Sequence, residues 1–373
     1  MPVSSALASF AEPRLSIDLD AVRANHRFFA GRAPGAETAA VVKADAYGCG
    51  LGPVARTLLA ERVRTFFVAT PYEGAQLREV LGPPADGCRV YALNGFCPGE
   101  ARDLAACGVA PVINTLEQAR EWAALDGVPP APALQIDTGL NRLGLPADQA
   151  LAIANDTDLM TRLKPDLVMS HLACGFDPDH PMNRRQREAF SGLCGLFPQA
   201  RASLAASAGV LLGPDYHFDL TRVGVGLYGG ARQTDDTPAL APVVRLEAPI
   251  LQIRDLEPGD RVGYGADFAA QSPMRAAVLS VGYADGVLRA LGGKGYAAFG
   301  SHQLPVLGRV SMDLLTIDVT AAGADAAPGA FVTVLGGPID LDDQARHAGT
   351  IGYELLVRLG PRLRREWRGG AAQ

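Results

Sequence analysis

The chain has 373 residues, 48% of them hydrophobic and 20% charged, with a formal net charge of −6. That length accommodates one large domain or two, and the apolar share is enough to bury a sizeable core. The acidic balance, without a long basic run, argues against nucleic acid and anionic membrane as partners. The N-terminal stretch MPVSSALASFAEPR has no basic region ahead of an apolar core, so no signal peptide is expected. No apolar run reaches the roughly 18 residues that span a bilayer. The six cysteines (Cys49, Cys88, Cys97, Cys107, Cys174 and Cys194) include no C-x-x-C pair. Scattered thiols of this kind fit a reducing cytoplasm better than a disulfide frame or a zinc site.

In chain order, residues 15–20 alternate apolar and polar side chains, which suggests a half-exposed strand. From about residue 12 to 235, short apolar runs then alternate with amphipathic stretches. The runs are AAVVK (39–43), TFFVA (65–69), RVYALN (89–94), VAPVI (109–113), ALQID (133–137), DLVMSH (166–171), ASLAAS (202–207) and HFDLTR (217–222). Between them lie helical patterns such as 116–124 and 183–196. Eight strand–helix repeats suggest a TIM-type (β/α)8 barrel over 12–235. An open doubly wound sheet is the alternative, although no G-x-G-x-x-G opens the first strand–helix unit.

The polar, proline-bearing stretch QTDDTPALAP (233–242) marks a boundary near 232–241. Beyond it the strands become short and closely spaced: VVRLEAPILQIRDL, DRVGYG, RAAVLSVGYA, KGYAAFG, HQLPVLGRV, LLTIDV and AFVTVLG. This predicts a C-terminal, mostly β domain over 241–373. Residues 1–20 are expected to pack with it.

Barrel enzymes collect their chemistry at the C-terminal ends of the strands. Lys43, Asp137 with Arg142 beyond it, His171, Ser207 and Arg222 all fall at such ends. A lysine against an apolar wall loses solvation, and its amine becomes nucleophilic; otherwise Lys43 merely marks where the strand meets water. Ser207, with Gly209, Gly224 and Gly226 nearby, reads as a phosphate cradle or as ordinary tight turns. The glycines flanking Asn141-Arg142 suggest a loop in which Arg142 grips a carboxylate, or a plain surface arginine. His171 is a base, a ligand or a structural histidine. Tyr264 and Tyr283 sit among glycines in the β domain, where a ligand or another backbone can approach closely; buried sheet tyrosines are the ordinary alternative. Asp177, Asp179 and His180 lack further ligands at a useful spacing, so no metal is expected.

AVVKADAYGCG (40–50) resembles the pyridoxal 5'-phosphate (PLP) lysine motif of the alanine racemases. Eight further motifs follow in that family's order: IDTGLNRLG (136–144), SHLACGF (170–176), ASAGV (206–210), TRVGVGLYGG (221–230), GYGADF (263–268), VGYADG (281–286), GRVSMD (308–313) and GTIGYELL (349–356). The resemblance implies that the chain interconverts L-alanine and D-alanine, supplying D-alanine for peptidoglycan or degrading it. Lys43 would carry PLP and serve as the base on one face of the substrate Cα. Tyr264 would serve the opposite face, contributed across a homodimer. Arg222 would contact the pyridine nitrogen, and His171 would lie beside the ring and link to Tyr264. Tyr47, Ser207, Gly224, Val225 and Tyr353 would hold the phosphate. Arg142 and Met312, the latter from the partner subunit, would bind substrate, and Tyr283 would narrow the entrance.

Elementary chemistry agrees with that division. Racemisation removes a proton from one face and returns one on the other, which calls for two flanking bases. An unperturbed tyrosine titrates at about 10 and needs cationic help. An arginine cannot protonate the pyridine, which leaves the cofactor a weaker electron sink than a pyridinium would be. The chain departs from the family pattern at Cys49, Ser311 and Gly352. It also departs at Gln135, where many members carry a carbamylated lysine that orients the substrate-binding arginine. Barrel-type PLP decarboxylases would need an acidic partner for the pyridine nitrogen, against which Arg222 argues. Single-barrel PLP-binding proteins lack the β domain.

Overall fold

A computed structural model describes residues 10–82, 87–230 and 240–370. Most of the expected linker therefore lies outside the described residues, as do residues 1–9. Val22–Ala241 cluster into one compact unit; Pro242–Gly369, with the N-terminal stretch ending at Ala21, form the other.

The first unit holds eight strands: β2 (Glu37–Val41), β3 (Thr65–Val68), β4 (Arg89–Ala92), β5 (Ala110–Ile113), β6 (Ala133–Gln135), β7 (Leu167–Met169), β8 (Arg201–Ser203) and β9 (Leu220–Val223). They pair side by side and parallel from β2 to β8, with β9 on the free edge of β2. The Asp219 N–H donates to Ala202 O at 3.0 Å and the Arg222 N–H to Ala205 O at 2.9 Å, which joins β8 to β9 and closes the ring. Every residue of β3 (TFFV) and β5 (APVI) is buried. Strands covered on both faces read as continuous apolar runs, which is the pattern in the sequence. The barrel, rather than the open sheet, is the observed fold.

The ladders are shorter than the apolar runs. The run 39–43 pairs only to Val41, 133–137 only to Gln135, 166–171 only to Met169 and 202–207 only to Ser203. Past the last rung the chain stays buried while it bends, so hydrophobicity records burial and not pairing. Lys43, Asp137 and His171 accordingly stand just beyond the strands, and Ser207 opens the helix Ser207–Leu211. Helices Leu116–Ala123 and Pro181–Cys194 occupy the expected amphipathic stretches.

The second unit is mostly strand. Its main sheet runs β15 (His302–Pro305), β14 (Tyr296–Phe299), β17 (Phe331–Leu335), β10 (Val244–Leu256), β1 (Arg14–Asp18), β18 (Arg364–Arg368). The far half of β10 pairs with β13 (Met274–Leu279), which in turn pairs with β16 (Leu315–Asp318). A ribbon of β11 (Arg261–Val262) and β12 (Phe268–Ala269) stands apart. β1 is antiparallel to β10, parallel to β18, and buries Leu15 and Ile17 completely. Among the described residues no helix is long and apolar enough to cross a membrane.

Candidate active site

Because the eight strands are parallel, every loop that follows a strand opens at the same end of the barrel. The loop after β2 carries Lys43 and then a left-handed turn: Ala44, Asp45, Ala46 and Tyr47 have φ of 52°, 54°, 53° and 55°. Left-handed helical geometry costs L-residues ~1–2 kcal/mol each, so the surroundings must hold it in place. Glu73 does much of this. Its carboxylate accepts the Ala44 N–H at 2.8 Å and the Ala69 N–H at 2.7 Å. It also completes a capping box with Thr70 at the start of helix Pro71–Leu81. The Asp45 side chain accepts the Leu51 N–H at 2.7 Å and ties the exit of the turn. Burial lowers the Lys43 pKa, the cationic Arg142 lowers it further, and Glu73 partly offsets both.

The turn delivers Tyr47 inward. Its ring stacks on Tyr228 with centroids 4.8 Å apart, and the Tyr228 hydroxyl donates to Val41 O at 3.2 Å. The loops after β8 and β9 meet it there. The Ser207 hydroxyl accepts the N–H groups of Gly224 and Gly226 at 3.0 and 3.1 Å. A Cβ added at Gly224 would lie 2.6 Å from the Tyr47 hydroxyl, so any larger residue there would displace the Tyr47 ring. Val225 follows and opens a short 3-10 turn.

Arg222 is buried on β9. Its guanidinium donates to Ser203 O at 2.9 Å, Ser203 Oγ at 2.5 Å and Ser170 O at 2.5 Å, and contacts His171 Nδ1 at 3.4 Å. Burial lowers its pKa to about 9, which leaves it cationic at neutral pH. The His171 pKa falls to about 3, first through burial and then through the cations Arg222, Arg142 and Lys43. His171 is therefore neutral. With Nδ1 facing an arginine donor, its proton sits on Nε2.

The loop after β6 carries Arg142. The Asp137 carboxylate accepts the N–H groups of Gly139, Leu140 and Asn141 at 2.9, 3.0 and 3.1 Å. The buried Gln135 donates from Nε2 to Leu143 O at 2.8 Å and so fastens the loop next to Arg142. Of the acidic cluster in the next loop, His180 caps helix Pro181–Cys194 by accepting the Met182 N–H at 3.2 Å.

The remaining expected residues lie in the second unit. Tyr264 is 73% exposed and opens a 3-10 turn. A Cβ at Gly265 would meet the Arg309 guanidinium at 2.7 Å, and Arg309 pairs with Asp267. Arg309 begins the loop that carries Met312. That loop is laced to the Tyr283 loop: the Tyr283 N–H donates to Ser311 O and the Ala284 N–H to Met312 O, both at 3.0 Å. Arg362 clamps the two loops together. It bonds Asp285 through Nε at 2.5 Å and Nη2 at 2.9 Å, and reaches Asp313 through Nη1 at 2.7 Å. Asp285 is buried; Arg362 is raised above its ordinary pKa by these two carboxylates. Tyr353 lies on helix Gly352–Val357, its phenol pKa raised by burial and by Asp342. Glu73 and Arg362 were not singled out in the sequence. The Thr70-Pro71-Tyr72-Glu73 capping pattern was a legible signal for the first; nothing local marked the second.

A lysine with weakened solvation, a buried cationic guanidinium and a glycine cradle that a single Cβ would fill suit a phosphorylated pyridine aldehyde, and they define a PLP-dependent enzyme of the barrel type. The family model for the alanine racemase N-terminal domain matches residues 17–232, and that for the C-terminal domain matches 243–367. A biosynthetic alanine racemase of Agrobacterium fabrum is 44% identical, covering 95% of this chain and 93% of its own length. A catabolic alanine racemase of the same organism is 41% identical over 96% and 93%. The crystal structure of alanine racemase from Bartonella henselae with covalently bound pyridoxal phosphate superposes with a TM-score of 0.89 at 33% identity, covering 96% of this chain and 100% of that one. The chain belongs to the alanine racemase family.

Proposed function

We propose that Lys43 and Tyr264 carry the two proton transfers by which this protein interconverts L-alanine and D-alanine with PLP as cofactor. The observation that carries this reading is the Lys43 amine, destabilised as an ammonium and presented by a fixed turn at the barrel mouth. PLP joined to the substrate nitrogen draws electrons from Cα and makes its hydrogen acidic. Lys43, the residue that would hold PLP, would with its amine free take or return the proton at one face. Tyr264 serves the other. Neutral His171 presents its Nε2 proton while Nδ1 faces Arg222, and a phenolate at that Nε2–H gains both a hydrogen bond and the arginine's field. Arg142 takes the substrate carboxylate. Tyr47, Ser207, Gly224, Val225 and Tyr353 hold the phosphate, Met312 contacts substrate, and Tyr283 narrows the way in.

Tyr264, Tyr283 and Met312 are 73%, 43% and 53% exposed on adjoining loops. An exposed apolar patch of this kind supports a homodimer in which each copy's second unit completes the other's barrel site. The six free cysteines support a cytoplasmic setting. The two enantiomers have equal free energy, so whichever is consumed sets the direction: the enzyme makes D-alanine for peptidoglycan or removes it. Lys43→Ala tests the assignment. It should abolish both racemisation and the visible absorption of bound PLP; an unchanged spectrum overturns it.

A further inference from the structure

Helix Pro181–Cys194 turns Asn183, Gln186 and Phe190 inward on one face. Phe190 is an ordinary core residue, but the other two are amides, 1% and 0% exposed. A buried amide is unfavourable unless its hydrogen bonds are made, so the groups it bonds show what it holds in place. The Gln186 bonds all lead to the active-site loops. Its Nε2 donates to His171 O at 2.9 Å and to Thr138 Oγ1 at 3.3 Å, and its Oε1 accepts the Ala173 N–H at 2.7 Å. Thr138 stands at the root of the Arg142 loop, and its hydroxyl shares a 2.8 Å hydrogen bond with Ser170 Oγ. The carbonyl of Ser170 in turn receives Arg222. Asn183 ties the same loop further on, donating to Asp177 O at 2.8 Å and Cys174 O at 3.2 Å.

We propose that Gln186 is a positioning residue for the reaction: its amide fixes the root of the Arg142 loop and the main chain at His171 and just after it as one piece. The proposal rests on the reading that Arg142 takes the substrate carboxylate. An amide on a rigid helix sets both groups from a single point, so a shift of the helix face would move carboxylate grip and imidazole together. Gln135 fastens the far side of the Arg142 loop, and Gln186 the near side.

The test is steady-state kinetics on holoenzyme bearing Gln186→Leu, Thr138→Val, Arg142→Ala, or Gln186→Leu with Arg142→Ala. Gln186→Leu keeps the volume and removes the bonds. It should leave PLP absorption intact and raise KM for both enantiomers by about tenfold or more, as displacement of a gripping group does. Thr138→Val removes the loop root's bonds to Gln186 and to Ser170 but leaves those of Gln186 to His171 O and the Ala173 N–H, and it should reproduce the KM rise with a smaller change in kcat. Because Gln186 sets KM through the carboxylate grip of Arg142, the double variant should have the KM of Arg142→Ala alone. Unchanged KM in Gln186→Leu, or KM effects that multiply in the double variant, overturns the proposal. Should Gln186→Leu fail to fold, unchanged KM in Thr138→Val overturns it instead. An Arg142→Ala variant with normal KM would refute the reading of Arg142 itself, an outcome visible separately from the others.

Discussion

The Glu73 carboxylate accepts the N–H of Ala44, the residue directly after Lys43, at 2.8 Å. One side chain thus caps a helix and pins the start of a left-handed turn. Glu73→Gln keeps the shape but loses the charge and replaces one accepting oxygen by a donor. It should cost ~1–2 kcal/mol of stability, measured by denaturant unfolding. It should also lower the Lys43 pKa further, since Glu73 is the group that raises it. Capture of added PLP by the apoenzyme then reaches half its maximal rate at lower pH than in the wild type. A shift in the opposite direction contradicts this electrostatic account.

Ala44 is exposed and holds φ of 52°. Glycine adopts that conformation without the Cβ penalty. Ala44→Gly should therefore stabilise the protein by ~1 kcal/mol, read as a rise in the thermal midpoint. A fall would mean that the turn is held by something other than its surroundings.

His171 has a folded pKa of about 3 against an ordinary 6.5. Between those values the unfolded chain binds a proton that the folded chain does not, so unfolding is favoured as pH falls through the window. Stability should decline from pH 6.5 downward with a slope of up to ~one proton from this residue. His171→Gln should flatten the decline in calorimetry across that range; an unchanged slope would place the proton elsewhere.

On the proposed two-base scheme, Tyr264→Phe removes one of the bases. Racemisation should fall by ~10²–10⁴-fold. Exchange of the Cα hydrogen with deuterated solvent should suffer much more from one enantiomer than from the other. Near-normal exchange from both would defeat the two-base scheme.

Arg362→Ala leaves the buried Asp285 carboxylate without its guanidinium and frees Asp313. Because the arginine is half-exposed, solvent replaces part of the loss, and ~1–2 kcal/mol of stability is expected to go. Arg362→Lys retains charge but not the fork and should recover only part of it. In both, KM for alanine should rise, as the loops bearing Tyr283 and Met312 lose their shared clamp.

Much of this was legible in the sequence. Continuous apolar runs such as TFFV and APVI marked barrel strands because parallel strands are covered on both faces. The strand-end positions of Lys43, Arg142, His171, Ser207 and Arg222 followed from strand order alone. Strand ends were less clear, because residues such as Val42 and Ser170 stay buried after the ladder stops. The left-handed turn was invisible: alanine carries no mark of positive φ, and the carboxylate that holds the turn comes from 29 residues further along. The clamp of Arg362 on Asp285 spans 77 residues and left no local pattern either. What a chain brings together from a distance is written in its fold and not in any window of its sequence.

β1 has an implication for how the protein is made. It is synthesised before the barrel strands, yet its partners β10 and β18 both come after them. At ~5–20 residues per second, on the order of ten seconds or more pass before β10 follows β1 out of the ribosome. All of the barrel's strands emerge in that interval, while the apolar pair Leu15 and Ile17 waits uncovered. A newborn chain therefore carries this strand with its apolar face uncovered until β10 is made. For the same reason, a cut between β9 and β10 would not release the second unit whole, since one of its central strands would stay attached to the barrel.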